Sequence, residues 1–245
     1  VKETRQMGQN NQSLTDRLLK IGHSEVVNEA AMLNDSEILK IGKGIPTKIM
    51  ALNIALSGSI DGGIIPGVHI IAGESKRFKS LYGLIMCKTY MDAHPESVML
   101  FYDNEFGASF EYFDSIGIDR NRVVHLPFTS LEALRSDLSK KIKAKDGAIT
   151  KGDKVIIFID SLGNSASEKE IKDAEDENAK ADFTRAKVGK SLFRIITPKI
   201  RLLELPLIAV NHTYKDMGMY PKDVVSGGSG IMYNANEVWI IGKSQ

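Results

Sequence analysis

Six short apolar runs, each about the length of a β-strand, constrain the fold of this chain more than any other feature. Several of them are apolar at every position, which is typical of strands that are buried on both faces of a sheet. The stretches between them are long enough for helices. The sequence therefore predicts an α/β fold with a mostly parallel sheet flanked by helices. The predicted strands are residues 68–72, 98–102, 123–126, 155–159, 207–210 and 238–241.

Residues 1–34 predict a small helical segment outside this sheet. Ser13 and Asp16 have the spacing of a capping box, and apolar residues at helical spacing follow them. A second apolar cluster around Val26 has too few large side chains to fold independently. We therefore expect the segment to pack either on the body of the chain, residues 35–245, or on a neighbouring subunit.

One helix between two predicted strands is well marked. Thr129 and Glu132 have the spacing of a second capping box, and the residues after them place apolar side chains on one face. The opposite face is rich in lysine, which predicts an ordinary solvated surface. The apolar face consists of Leu131, Leu134, Leu138 and Ile142.

Composition and charge exclude several classes of protein. The formal net charge is +1, so no bulk attraction to polyanions is expected, and 42% apolar residues indicate a globular chain rather than a disordered or collagen-like one. The single cysteine, Cys87, lies in an apolar stretch, which predicts a buried, inert thiol and a reducing compartment. The chain has no apolar run of about 18 residues. We therefore expect a soluble, cytoplasmic protein that does not bind a membrane.

The strongest functional signal is the segment that begins at Gly73 and ends at Ser80, between a predicted strand and an apolar helical stretch that starts at Leu81. This order of strand, loop and helix is typical of phosphate-binding loops, whose backbone N–H groups and helix dipole attract an anion. We expect Lys79 to reach the β- and γ-phosphates of ATP and Ser80 to bind Mg²⁺. The predicted nucleotide-binding residues are Gly73, Glu74, Ser75, Lys76, Arg77, Phe78, Lys79, Ser80 and Leu81.

Phe78 departs from the usual phosphate-loop pattern, because it stands where a second glycine is normally found. The departure weakens the match when the loop is considered alone. A turn that binds no ligand is the alternative interpretation.

Polar side chains follow three of the predicted strands. Asp160 comes directly after the fourth strand, where it could hold the metal ion of a P-loop ATPase. Glu105 follows the second strand and is the candidate general base for an attacking water. His212 follows the fifth strand and could sense whether a γ-phosphate is present. The alternatives are that Asp160 only caps a turn and that His212 is structural.

Five segments, in this order, resemble the RecA-type recombinases, with the phage members of that family most similar. The resemblance implies a RecA-like P-loop ATPase core. It also implies an ATP-dependent DNA recombinase that forms filaments on single-stranded DNA and promotes homologous pairing and strand exchange. The segments are GESKRFKS, FYDNEFG, VIIFIDSLGN, VNHTY and SGGSGIMY.

The resemblance also implies roles for individual residues. Lys79 matches the Walker A lysine, Asp160 the Walker B aspartate and Glu105 the glutamate that activates water. His212 takes the place of the γ-phosphate sensor. Tyr112 lies where RecA-type proteins have an aromatic residue that stacks on adenine, although a packed helix tyrosine is the alternative.

Two segments resemble the DNA-contacting loops of the family. The second of them, residues 213–230, combines cations, stackable side chains and glycines, so it could order on a single strand. A mobile connection without a ligand is the alternative. The predicted DNA-binding residues of this segment are Lys215, Met217, Tyr220, Lys222, Gly227 and Gly228.

The first segment contains an acidic stretch, residues 168–177, which should repel phosphate. A basic helix follows it, and Val188, Leu192 and Ile195 are expected to form its buried face. Phosphate contacts are more plausible on the basic face of this helix, with a merely solvated face as the alternative. The predicted DNA-binding residues there are Arg185, Lys187 and Lys190.

RecA-type cores continue beyond the point where this sequence ends, so we expect the core to be truncated at its C-terminal end. The expected partners are single-stranded DNA, homologous duplex DNA, further copies of the chain, and single-strand-binding and loading proteins. The resemblance to phage proteins places the chain in the cytoplasm of an infected bacterial host. A RecA-fold ring helicase and a nucleotide-dependent accessory protein without turnover are the alternative functions.

Overall fold

Contacts divide the chain into two compact units, residues 1–41 and residues 42–245. The computed structural model describes residues 13–22, 30–36, 39–40, 42–143, 146–175 and 184–242.

The first unit contains the predicted helix, α1 (Leu14–Gly22). Its capping box is formed as expected, since the Asp16 backbone N–H donates to Ser13 Oγ at 3.1 Å and the Ser13 N–H donates to Asp16 Oδ2 at 3.2 Å. A 3₁₀ turn follows at Leu33–Asp35. Of the predicted second apolar cluster, Val26 and Val27 lie outside the described residues, whereas Leu33 is described and is 75% exposed.

The second unit is built on one sheet, in which the described residues form seven strands. Six of them are parallel and run in the order β3-β2-β4-β5-β1-β7, while β6 pairs in antiparallel fashion with the end of β5. The predicted α/β fold and its mostly parallel sheet are therefore confirmed. The strands are β1 (Gly67–Gly73), β2 (Val98–Asp103), β3 (Val123–Pro127), β4 (Val155–Asp160), β5 (Pro206–Lys215), β6 (Asp223–Val225) and β7 (Glu237–Ile241).

Helices cover both faces of the sheet. On one face α5 and α7 pack on a core that includes Leu134 and Phe193, and on the other face α2, α3 and α4 pack on a core that includes Leu84 and Phe158. Strands β1 and β4 are buried at every position, as expected from continuous apolar runs. The helices are α2 (Met50–Ser57), α3 (Lys79–Ala93), α4 (Phe110–Ile116), α5 (Leu131–Lys141), α6 (Glu168–Glu175), α7 (Thr184–Leu202) and α8 (Ser229–Met232).

The predicted cap of α5 is wrong by one residue. The helix begins after Ser130, whose Oγ accepts a hydrogen bond from the Ala133 N–H at 3.0 Å. Glu132 does not complete a capping box with Thr129, because its carboxylate accepts a hydrogen bond from the Glu168 N–H at 3.0 Å. The extended backbone of Ser130 suits an N-cap, so the tertiary course of the chain selects the serine.

Two further expectations about helices are corrected. Helix α3 begins at Lys79 rather than at Leu81. On α7, Ile195 is 39% exposed, and Ile196 occupies the buried position that follows Val188 and Leu192 at intervals of four residues.

Cys87 is fully buried, as predicted, and burial raises the pKa of its thiol. Within the described parts of the chain, no helix combines the length and the apolar character needed to cross a membrane.

Candidate functional site

The carboxyl ends of four neighbouring parallel strands, β2, β4, β5 and β1, surround a cavity of about 310 Å³. Residues 75–81 form one side of it, and Tyr112 from α4 contributes to its lining. Asp160, Glu105 and His212 also line it, so the structure brings together the three polar residues that the sequence placed after separate strands. Ligands of open parallel sheets bind at this edge, outside the carboxyl ends of the strands.

The loop between β1 and α3 forms a tight turn. Lys76 and Phe78 both adopt left-handed conformations, with φ of 61° and 57°. Glycine adopts this conformation without cost, which is the physical reason why a glycine is usual where Phe78 stands. The phenyl group of Phe78 projects outward and is 70% exposed, so a bulky side chain is tolerated there.

The side chain of Lys79 lies at the base of the loop. Its Nζ donates to the carbonyl oxygen of Glu74 at 2.7 Å. Burial lowers the pKa of Lys79, while the nearby carboxylates of Glu105 and Asp160 act in the opposite direction. The loop thus combines a helix N-terminus with a buried amine, both of which can bind phosphate oxygens.

Asp160 is 6% exposed, and its Oδ1 has no hydrogen-bond partner among the described residues. Burial raises the pKa of Asp160 to about 6, opposed by a hydrogen bond from Ser80. A buried carboxylate oxygen without a donor is costly unless a cation occupies the space beside it. The hydroxyl of Ser80 and the carboxylate of Asp160 are oxygen ligands that fit Mg²⁺, which usually takes its remaining ligands from water and substrate phosphates.

Glu105 is held by contacts on both its backbone and its side chain. Its N–H donates to Asp103 Oδ1 at 3.0 Å, which fixes the turn after β2. Its Oε1 accepts hydrogen bonds from Ser161 Oγ and, at 3.1 Å, from His212 Nε2. The hydrogen bond from His212 is the main cause that lowers the pKa of Glu105, so this side chain is an oriented carboxylate at neutral pH.

His212 lies within β5 rather than after it, and it connects this carboxylate to the residues that follow β6. Its N–H donates to Asn211 Oδ1 at 2.8 Å, and its carbonyl oxygen accepts from the Ser226 N–H at 2.8 Å. The Nδ2 of Asn211 also donates to the Ser226 carbonyl oxygen at 2.9 Å. The backbone of His212 and the side chain of Asn211 are therefore both hydrogen-bonded to Ser226.

Sequence analysis did not identify Ser161 and Asn104 as members of the site. Ser161 is fully buried, and its N–H donates to Asn104 Oδ1 at 2.8 Å. Asn104 in turn donates from Nδ2 to Ser165 Oγ at 2.8 Å. A usable signal was present, because both residues directly follow aspartates that end neighbouring strands, Asp103 and Asp160, and these aspartates are in register.

The predicted DNA-contacting segment, residues 213–230, is in part a β-hairpin rather than a flexible loop throughout. Residues 213–215 pair with residues 223–225 in antiparallel fashion. Two predicted DNA-binding side chains project from the tip of this hairpin, since Met217 is fully exposed and Tyr220 is 80% exposed. The hairpin thus presents apolar and aromatic groups outside the cavity.

The other predicted residues of this segment differ in their surroundings. Lys215 Nζ forms an ion pair with Asp223 at 2.9 Å, whereas Lys222 is exposed. Gly227 and Gly228 have φ of 87° and 80°, a conformation that favours glycine.

The basic helix α7 presents two of its predicted cations to solvent, Lys187 and Lys190. Arg185 is engaged differently, because its Nη2 donates to the carbonyl oxygens of Leu162, at 3.2 Å, and of Gly163. Arg185 therefore contacts the loop after β4.

The acidic stretch is helical in its first part, which is α6. Lys169 Nζ lies 3.2 Å from Asp173 Oδ2 within that helix. Residues 176–177 lie outside the described part of the chain.

Comparison with known proteins finds a relative of this chain whose name states a general role. Over 235 residues, which are 95% of this chain, the sequence is 47% identical to the "Recombination and repair protein" of Enterobacteria phage T4. The chain is similar to a phage recombination and repair protein. It spans 58% of the length of that phage T4 protein. No family model matches the chain.

Proposed function

We propose that this chain is the core of an ATP-dependent DNA recombinase of the RecA type, similar to the phage UvsX recombinase. It would form filaments on single-stranded DNA and promote homologous pairing and strand exchange. The observation that carries the proposal is the convergence of residues 75–81 with Asp160, Glu105 and His212 in one cavity. The similarity to a phage recombination and repair protein supports the DNA-directed part of the proposal.

The first proposed step is the binding of ATP. Backbone N–H groups of the loop and the amine of Lys79 hold the β- and γ-phosphates, and Ser80 and Asp160 hold Mg²⁺. Bound Mg²⁺ would neutralise the charge that develops on the phosphates. Tyr112 lines the same cavity, which is consistent with a stacking contact to adenine.

The second proposed step is hydrolysis. The carboxylate of Glu105 accepts a proton from, or orients, the water that attacks the γ-phosphate. Its ionised state is favoured by the hydrogen bonds from His212 and Ser161. This ionised base argues against an accessory protein that binds nucleotide without turnover. The direct contact between His212 and Glu105 supports the proposal that His212 responds to loss of the γ-phosphate.

DNA would bind outside the cavity. The exposed Met217 and Tyr220 of the hairpin can stack on or wedge between bases, and the exposed Lys187 and Lys190 of α7 can neutralise phosphates. Base stacking is sequence-tolerant, which suits a protein that pairs any homologous sequences. Single-strand-binding and loading proteins, met in the infected bacterial cell, would be its partners.

The test separates nucleotide binding from turnover. Glu105→Gln should keep the affinity for Mg·ATP but lower single-strand-stimulated hydrolysis by about 100-fold or more, because the base is lost. Lys79→Ala should instead weaken ATP binding, measured with a fluorescent nucleotide. Glu111→Gln, at an exposed position of α4, is the matched control and should behave as wild type.

Two results would contradict the proposal. An unchanged rate in Glu105→Gln would remove the water-activating role, and undiminished affinity in Lys79→Ala would remove the phosphate-binding role. Electron microscopy with ATP and a single strand should show helical filaments. Closed rings would favour a helicase instead.

A further inference from the structure

Arg185 makes contacts unlike those of the other cations on α7. It lies in the first turn of the helix, and its Nη2 donates to the carbonyl oxygens of Leu162 and Gly163. Lys187 and Lys190, in contrast, are exposed and have no ion pair among the described residues. The guanidinium of Arg185 is therefore hydrogen-bonded to backbone oxygens of the loop after β4.

That loop is itself attached to the sheet on both sides. The Leu162 N–H donates to the Val210 carbonyl oxygen at 2.9 Å, which ties the loop to β5. The Ser161 N–H donates to Asn104 Oδ1 at 2.8 Å, which ties it to the turn after β2. Arg185 adds a third attachment, from α7.

The imidazole of His212 rests directly on this loop. A Cβ atom placed on Gly163 would lie 2.2 Å from His212 Cδ2 and 2.7 Å from His212 N, so there is room for glycine only. The backbone of Gly163 is thus the surface against which the ring packs. Two residues earlier, Ser161 Oγ donates to the same Glu105 oxygen that His212 contacts.

We infer that Arg185 is a positioning residue for the proposed hydrolysis. It holds the loop at residues 161–163 so that Ser161 and His212 both orient Glu105. This inference rests on the proposed function, and it assigns Arg185 a role that differs from a phosphate contact to DNA. A residue outside the lining of the cavity would then control the rate of turnover.

The geometry of the side chain makes the inference testable by conservative replacement. A guanidinium is planar and carries several donors in a fixed arrangement, so it can hold two carbonyl oxygens at once. A lysine ammonium keeps the charge but is a flexible point donor. If Arg185 served only to attract DNA phosphates through its positive charge, Arg185→Lys would preserve its function.

The experiment compares Arg185→Ala and Arg185→Lys with Arg201→Ala, a matched control at an exposed arginine in the last turn of the same helix. Turnover of ATP is measured without DNA. Both Arg185 variants should lower kcat by about ten-fold or more, while KM for ATP changes less than about two-fold. Arg201→Ala should leave both constants unchanged.

A second measurement does not depend on turnover. The imidazole ¹⁵N resonances of His212, recorded by NMR in the nucleotide-free protein, should shift in both Arg185 variants and stay in place in Arg201→Ala. If Arg185→Ala does not fold, Arg185→Lys decides alone, because it keeps the charge and most of the bulk.

Three outcomes would overturn the inference. They are unchanged His212 resonances, a wild-type kcat in Arg185→Lys, and a loss of DNA affinity in Arg185→Ala without any loss of DNA-free turnover. Failure of the proposed function is distinguishable from these, since it would appear as undiminished ATP affinity in Lys79→Ala.

Discussion

At the scale of single residues, two residues of the site have a backbone conformation or a side-chain environment that is ordinarily unfavourable for their residue type. Phe78 holds a left-handed backbone that glycine would adopt more readily, and Asp160 is a carboxylate buried with an unpartnered oxygen. Both features cost free energy in the folded chain without ligand. Such costs are typical of sites that are completed by a bound partner.

The strain at Phe78 can be measured by comparing two replacements. Phe78→Gly and Phe78→Ala both remove the exposed phenyl group, but only glycine also removes the cost of the left-handed backbone. We expect Phe78→Gly to be more stable than Phe78→Ala by about 1 kcal/mol in the free energy of unfolding, measured with urea. Equal stabilities would show that this backbone conformation is not strained in solution.

The burial of Asp160 should make stability depend on pH. Burial raises the pKa of Asp160 from 3.8 to about 6, so between these values the folded state binds more protons than the unfolded state. Its contribution to stability therefore falls as the pH rises from 4 to 6. Without metal, Asp160→Asn should be more stable than wild type at pH 8, by about 1 to 3 kcal/mol, and this advantage should shrink towards pH 4.

Urea unfolding of the metal-free protein at several pH values measures this difference. Asp61→Asn, at an exposed aspartate, is the control and should show no comparable advantage at pH 8. A constant difference between Asp160→Asn and wild type across the pH range would contradict the assigned burial effect.

At the scale of elements, caps and strand ends decide where the helices and strands begin. The periodic apolar face of α5 is a local property and was predicted correctly, with Leu131, Leu134, Leu138 and Ile142 all buried. The N-cap of α5 was predicted incorrectly. Two residues with hydroxyl groups, Thr129 and Ser130, precede the helix, and the sequence does not show which of them has the extended backbone of an N-cap. Strand β6 was missed for a similar reason, since three residues form a strand only through their pairing with β5.

The cap of α5 offers a sharp comparison between neighbouring hydroxyls. Ser130→Ala removes the acceptor of the Ala133 N–H and should lower the free energy of unfolding by about 1 kcal/mol. Thr129→Ala should have little effect, because the helix does not begin there. Thermal or urea unfolding of the two variants measures the difference, and a larger loss in Thr129→Ala would restore the capping box that the sequence predicted.

At the scale of the whole molecule, the fold collects polar residues from separate strands at one edge while the net charge stays near zero. The formal net charge is +1, so the chain has little long-range attraction for a polyanion. The cations are nevertheless unevenly distributed, because α7 contains six Lys and Arg residues and no Asp or Glu. We therefore expect DNA binding to depend on this local surface.

The salt dependence of single-strand binding tests that expectation. Each of Lys187→Ala and Lys190→Ala should weaken binding and reduce the slope of log K against log salt by about 0.7, the value for one phosphate of a single strand. Fluorescence anisotropy with a labelled oligonucleotide measures the slope. The control is Lys48→Ala, at an exposed lysine next to α2 on the opposite face of the sheet, and it should leave the slope unchanged. Equal slopes in all variants would exclude α7 as the phosphate-binding surface.

The amino-acid sequence by itself determined the six parallel strands, the α/β class and the polar residues that follow the strands, because continuous apolar runs and the residues after them are local properties. Tertiary structure alone decided which strands are neighbours, and so which side chains meet. Glu105 and His212 are 107 positions apart, yet they lie 3.1 Å from each other because β2, β4 and β5 are adjacent. The contacts of Ser161 and Arg185 have the same origin, since each joins atoms that only the packed sheet and helices bring together.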